Sequence, residues 1–390
     1  MEITKLKTYI QSANINFLLG SGLSQPYLST LGDIEIWLTE LAKDTAISDD
    51  VRKVIKASIY KEYFVKVILP NYKPDKENEL YKKVIDNYRN FLTIWNEIIN
   101  KRANRLLSKQ VNIYTTNIDT LVENATVKAQ VEFNDGFKGS IEQIFEESNF
   151  QKSYSKTSLH FHNVSEIPVF NYLKMHGSIN WNEKEDVIVN EYALNLINDI
   201  NDELKSIGNK YFVSSNYLYL MDIMGINNKS RSLSKVSVFD KFLELYEKLI
   251  IVNPTKQKFI ESVIELHFYE LMRMYSNSLE KENSILFVMG FSFADEHIAK
   301  ITLRAANTNP TLLVVIFAYD DDQEAKYARI LKPTPNNNIY IITPSNFKST
   351  NQVDDDTKKK IIEGITYFDL ATVNSVFQLI NSEIPVNYGR

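Results

Sequence analysis

Apolar residues fall into two rhythms along this 390-residue chain. Short unbroken runs suit buried strands, and spacings of three and four suit helices. Ile15, Phe17, Leu18 and Leu19 form a run that stops at Gly20-Ser21-Gly22-Leu23-Ser24, the pattern of a buried strand feeding a glycine turn. Val111, Ile113 and Tyr114 form a second run, which stops in Thr115, Thr116, Asn117 and Asp119. Pro168-Val169-Phe170-Asn171-Tyr172-Leu173 predicts a third strand, leading into Lys174-Met175-His176-Gly177-Ser178. Ser284–Met289 predicts a fourth, ending at Gly290-Phe291-Ser292-Phe293-Ala294-Asp295. Leu312–Phe317 and Ile339–Ile342 predict two more, the first ending at Tyr319-Asp320-Asp321-Asp322.

Helical spacing fills the intervals. Residues 3–12 read as a short amphipathic helix, and Ile34, Trp37, Leu38 and Leu41 give a helical face. From Val51 to Ile99 apolar residues recur at helical spacing with Lys and Glu between them, so 49–108 is expected to be a helical insertion with solvated charged faces. Leu121, Val122 and Ala125 open a further helix, and Asp135-Gly136-Phe137 signals a turn. Residues 183–283 read as mostly helical, with a turn at Asn253-Pro254-Thr255 and a polar, basic loop over 225–237. The 357–380 stretch reads as one or two helices. Strands alternating with helices predict an α/β protein with a Rossmann-like parallel sheet. Its core would be divided into 1–48, 109–182 and 284–346, with helical insertions at 49–108 and 183–283 and a helical tail over 347–390.

Composition narrows the classes. Hydrophobic residues make up 44% and charged residues 24%, as in ordinary globular proteins. A net charge of −5 gives no whole-chain drive toward nucleic acid or anionic membrane. With no cysteine, disulfides, thiol catalysis and Cys-based zinc sites are excluded. Neither a signal peptide nor a run of about 20 apolar residues is visible, so a cytoplasmic protein is the expectation.

Several strands thus end in Gly, Ser, Asn or His, and ligands in open α/β sheets bind beyond the carboxyl ends of the strands. Each motif alone is ambiguous. The glycine turn fits a nucleotide loop or an ordinary tight turn, because Gln25 stands where a dinucleotide fingerprint wants a third small residue. His160 and His162 are better explained as loop or strand residues than as metal ligands. Asp295, Glu296 and His297 suit a helix start, and Lys358–Lys360 suit another. Asp320–Asp322 suit either an adenosine ribose contact or a solvated turn.

Taken together, Gly20-Ser21-Gly22-Leu23-Ser24, Thr116-Asn117-Ile118-Asp119, Lys174-Met175-His176-Gly177-Ser178 and Gly290-Phe291-Ser292 resemble, in order and context, the Sir2 (sirtuin) fold. The Asp-Gly-Phe, His-Gly-Ser-Ile-Asn-Trp and Gly-Phe-Ser-Phe-x-Asp-Glu-His-Ile segments look most like the SIR2-like proteins of bacterial antiphage defence. Size and the Asn253-Pro254-Thr255-Lys256 segment are similar to the subunit that pairs with a HerA-type hexameric ATPase. The resemblance covers about 13–45, 108–182 and 284–345. It implies NAD⁺ as substrate and cleavage of the nicotinamide–ribose bond, in antiphage defence by NAD⁺ depletion. It also implies homo-oligomers, no membrane contact, and nucleic acid contact only through the partner complex.

By the same resemblance, Asn117 would hold a ribose hydroxyl and the attacking water, and Asp119 the nicotinamide carboxamide. His176 would be the general base, a role imidazole suits near neutral pH. Gly20, Ser21, Gly22 and Ser24 would cradle the pyrophosphate. Thr116 would join that pocket, and Gly290 and Ser292 would bind phosphate or the adenosine ribose. Two departures bear on the acceptor. The four-cysteine zinc module of sirtuin deacylases is impossible here, and Gln25-Pro26-Tyr27-Leu28-Ser29-Thr30 lacks their characteristic arginine. Hydrolysis by water is therefore the leading expectation. An NAD-dependent deacylase or ADP-ribosyltransferase, or a non-catalytic NAD⁺- or ADP-ribose-binding scaffold, are the alternatives.

Overall fold

A computed structural model describes residues 1–30, 34–43, 45, 47–102, 106–160, 162, 164–213, 233–252 and 263–385. The Asn253-Pro254-Thr255-Lys256 segment and most of the 225–237 loop lie outside these residues.

Seven parallel strands form the central sheet: β1 (Asn14–Leu19), β2 (Gln110–Thr115), β3 (Glu132–Asn134), β4 (Val169–Lys174), β5 (Ser284–Met289), β6 (Leu313–Phe317) and β7 (Ile339–Ile342). Their spatial order is β7-β6-β5-β1-β2-β4-β3. The chain leaves β1 toward β2 on one side and later returns to its other side with β5. A crevice at the carboxyl ends of β1 and β5 therefore sits at a topological switch point, where open α/β sheets bind ligands. The expected Rossmann-like parallel α/β sheet is present.

Side chains alternate across each strand, so the sheet buries two faces. Phe17, Ile113 and Phe287 face one layer, made by α1 (Ile3–Ser12), α4 (Glu79–Lys101), α5 (Leu121–Ala129) and α13 (Leu370–Glu383). Leu18, Tyr114 and Leu286 face the other, which includes α8 (Val263–Glu280) and α9 (Glu296–Thr308). A third apolar cluster joins α2 (Ile34–Lys43), α3 (Asp49–Tyr63), α6 (Asn195–Ile207) and α7 (Asp240–Glu247). Ile118 and Ile179, from the loops after β2 and β4, belong to it, so this helical unit abuts the carboxyl end of the sheet.

Two expectations change in detail. The 49–108 stretch is helical but not one unit. α3 joins the third cluster, whereas α4 lies on the sheet, where Trp95 meets Phe17 edge to face at 4.8 Å. The aromatic stripe of α4 is wide enough to cover a sheet face, and Asn78 fixes its start by accepting the Leu80 N–H at 2.9 Å. The 183–283 stretch opens not as helix but as an antiparallel hairpin, Trp181–Lys184 with Val187–Asn190. Its Glu185-Asp186 turn takes φ of 50° and 63° at both central residues, the conformation that matches hairpin twist.

An asparagine ladder crosses the sheet at one level. Asn112 donates to Asn16 Oδ1, Asn171 to Asn112 Oδ1 and Asn134 to Asn171 Oδ1, each at 3.0 Å. These residues are register partners on β1, β2, β4 and β3. A slip of one residue would turn amides onto the opposite face. The ladder thus fixes how far each strand reaches toward the carboxyl end.

Candidate functional site

A cavity of about 530 Å³ opens beyond the carboxyl ends of the strands. That volume falls within the usual range for small-molecule sites. Ser21, Gly22, Ser24, Thr116, Asn117, Asp119, His176, Gly290 and Ser292 all line it. Gly20 does not line the cavity and instead lies against the β5 loop. Its N–H donates to Met289 O, and the Gly22 N–H donates to Gly290 O, both at 3.0 Å. Those two amides are therefore spent on joining the loops after β1 and β5. In the expected pyrophosphate cradle, this leaves the faces of Ser21 and Ser24 as the polar surface on this side.

The β2 loop is braced from below. Thr115 Oγ1 donates to Leu19 O at 2.9 Å and accepts the Asn117 N–H at 3.0 Å. Asn117 Nδ2 donates to Gly20 O at 3.2 Å and reaches Ser24 Oγ at 3.4 Å. Asn117 is 5% exposed, and its Oδ1 is buried without a hydrogen-bond partner. A buried acceptor left unmatched costs about 1–3 kcal/mol.

Asp119 is largely committed to the protein. Its Oδ2 accepts from Ser24 Oγ at 2.9 Å and its Oδ1 accepts the Leu121 N–H at 3.1 Å. Burial pushes its carboxyl above the usual range, against the pull of Lys174, the Leu121 N–H and Ser24. The buried Lys174 ammonium donates to Asp119 O at 2.5 Å and to Glu123 Oε1 and Ser178 Oγ, each at 2.6 Å. It ties the loops after β2 and β4 together. Charge-assisted bonds of this kind compensate the desolvation of a buried lysine only when its donors are all used.

His176 stands opposite on the loop after β4. Its carbonyl accepts the Val252 N–H at 2.9 Å, and the following Gly177 has φ of 74°. A side chain on Gly177 would meet Ile250 O at 2.1 Å, so glycine is required there. His176 Nε2 lies 3.1 Å from Asp295 Oδ2. The spacing of the sequence marks Asp295 only as a helix start, so this partnership is invisible from sequence alone.

Sequence reasoning also missed the far wall. Phe317, Tyr319, Gln323, Lys326, Tyr327, Phe368 and Asp369 complete the cavity. Tyr319 stacks on Tyr367, with centroids 5.2 Å apart. Asp320 and Asp321 serve turns instead. Asp320 accepts the Gln323 N–H at 3.2 Å, and Asp321 accepts from the backbone and hydroxyl of Ser345 at 3.0 and 2.6 Å. Neither they nor Asp322 line the cavity. Glu296 pairs with Lys300 at 3.3 Å, and His160 and His162 are exposed at the end of the Tyr154–Thr157 and Val164–Ile167 hairpin. Among the described residues, no group of three His, Asp or Glu is arranged to hold a metal ion, and no helix is long and apolar enough to cross a membrane.

The crevice therefore combines a long polar floor, one histidine–carboxylate pair, one unmatched amide oxygen and an aromatic far end with a lysine. No protein-family model matches this chain, and no curated protein sequence matches it.

Proposed function

We propose that the cavity binds NAD⁺ and hydrolyses its nicotinamide–ribose bond, in a Sir2-like fold. The observation that carries this reading is Asn117, which lines the cavity and whose buried Oδ1 has no donor from the protein. A ribose hydroxyl is a donor of the right kind. His176 lines the same cavity, so a base and a hydroxyl-binding amide share one site. In the reaction the C1′–N bond breaks and nicotinamide leaves neutral with the bonding pair. A water oxygen bonds to C1′, and the proton it sheds passes to His176 and then to solvent. The products are nicotinamide and ADP-ribose.

Three further features support a dinucleotide. The cavity sits at the switch point of the sheet. Ser21 and Ser292 line it with hydroxyls, and Tyr319 and Lys326 add an aromatic face and a cation. Asp119, with both carboxylate oxygens engaged by Ser24 and Leu121, acts by holding Ser24 and Asn117 in place more than by meeting the carboxamide. Pairing with a HerA-type ATPase, self-assembly and a role in antiphage defence follow from the resemblance of the motifs and are part of the same proposal.

The test is nicotinamide release from NAD⁺ by the purified protein, alone and with a HerA-type ATPase. Release that disappears in Asn117→Ala and His176→Ala is expected. NAD⁺ binding without release in every preparation would mark a scaffold, and release that survives both substitutions would overturn the assignment of residues.

A further inference from the structure

The loop that carries Asp295 is built with more constraint than a helix start needs. Asp295 Oδ1 accepts the His297 and Ile298 N–H groups at 2.9 and 3.2 Å, which caps α9. Its other oxygen, Oδ2, lies 3.1 Å from His176 Nε2, in the β4 loop on the other side of β1 and β2. One carboxylate thus joins two loops that come from separate strands. Capping would be satisfied by Oδ1 alone.

The approach to Asp295 is also strained. Phe293 takes φ of 55°, a left-handed conformation that is costly for a bulky residue, about 1–3 kcal/mol. Packing holds it there: Phe293 is buried against Phe291, with centroids 5.0 Å apart, and near Tyr327 at 6.2 Å. Tyr327 in turn donates its hydroxyl to Phe291 O at 2.9 Å. Such strain persists where the surroundings fix a residue for a purpose.

The geometry points to Asp295 as a positioning residue that sets the tautomer and orientation of His176. An ionised carboxylate only accepts hydrogen bonds, so its approach to Nε2 at 3.1 Å favours the neutral imidazole with its proton on that nitrogen. The N-terminus of α9 favours the negative charge on that carboxylate. Nδ1 is then the nitrogen with the lone pair, and it is Nδ1 that takes a proton from water or from a ribose hydroxyl. The role of His176 as base rests on the proposed NAD⁺ hydrolysis, but its tautomer does not.

The experiment therefore uses two readouts on Asp295→Asn, a substitution that keeps the cap because asparagine caps helices as well as aspartate. The first is the ¹⁵N spectrum of the imidazoles across a pH titration of the wild-type protein. The His176 signals are assigned by their loss in His176→Gln, against the four other histidines of the chain. The neutral Nε2–H form is expected in the wild type, with a shift toward the Nδ1–H form in Asp295→Asn, whose amide can donate to Nε2. The second is steady-state nicotinamide release, where kcat is expected to fall at least about 100-fold with little change in KM, since the wrong tautomer in a comparable carboxylate–histidine pair costs still more. A wild-type Nδ1–H tautomer, or a tautomer unchanged by the substitution, overturns the proposal. A tautomer that shifts in a protein with no hydrolase activity leaves the positioning role standing and removes the proposed reaction.

Discussion

A methyl group on Gly20 would lie 2.3 Å from the carbonyl oxygen of Gly290 and 2.6 Å from the Cα of Phe291. The loops after β1 and β5 approach each other backbone to backbone, and only glycine permits it. Gly20→Ala is expected to lower stability by about 1–3 kcal/mol, because backbone rather than a mobile side chain must yield. It should also weaken ligand binding, since the displaced Gly290 lines the cavity. Urea melts and a binding titration check both effects, and unchanged melting would show that the loops separate freely.

The asparagine ladder gives a second prediction. Asn171→Leu removes the donor to Asn112 Oδ1 and one acceptor for Asn134, at a position 1% exposed. A loss of about 1–3 kcal/mol is expected, the cost of stranding a buried polar group. Denaturant unfolding measures it. A neutral or stabilising outcome would mean that the neighbouring amides find other partners.

Phe377 on α13 lies within 4.9 Å of Trp95 and 5.4 Å of Phe287, ring centre to ring centre. Phe377→Ala should cost about 3–5 kcal/mol as a core truncation. A surface helix would lose less than about 0.5 kcal/mol, so thermal or chemical melting separates the two cases cleanly.

Glu383 carries a pH dependence. Its bond to Lys358 holds its carboxyl below the usual range despite partial burial, and Lys7 adds to the effect. A lowered folded-state pKa contributes stability above the unfolded value, about 4.3, that is lost as pH falls through the folded value. Glu383→Gln is therefore expected to cost up to about 1 kcal/mol at pH 7 and nothing at a pH where the carboxyl is protonated in both states. Melts at the two pH values, with and without added salt, test this. An equal cost at both would assign the effect to packing.

Much of the sheet was legible because buried parallel strands read as apolar runs, continuous in Ile285–Met289 and broken only by Asn171 in Val169–Leu173. Their polar ends located the crevice, and Asn117 and His176 line the same cavity. What stayed hidden was long-range. Trp95 and Phe377 read simply as helical faces, and nothing in their spacing says which sheet face they cover. The Trp181–Asn190 hairpin was missed because Val187, Ile188 and Val189 form an unalternating run too short to separate from helix. Asp295 carries a local capping signal that masks its contact with His176, more than a hundred residues away. The carbonyl contacts that consume the Gly20 and Gly22 amides are likewise a matter of tertiary approach, and a glycine pattern cannot reveal them.

The position of α13 has a consequence for synthesis. Phe368 and Asp369, at its threshold, form part of the cavity wall, and its aromatic face closes over β1, which is made more than 350 residues earlier. A nascent chain that has reached β7 holds every strand of the central sheet yet lacks that wall and the contacts of Phe377 with Phe17, Phe287 and Phe317. The wall of the crevice is thus completed only by the last elements of the fold to be made, Phe368, Asp369 and the helix that follows them.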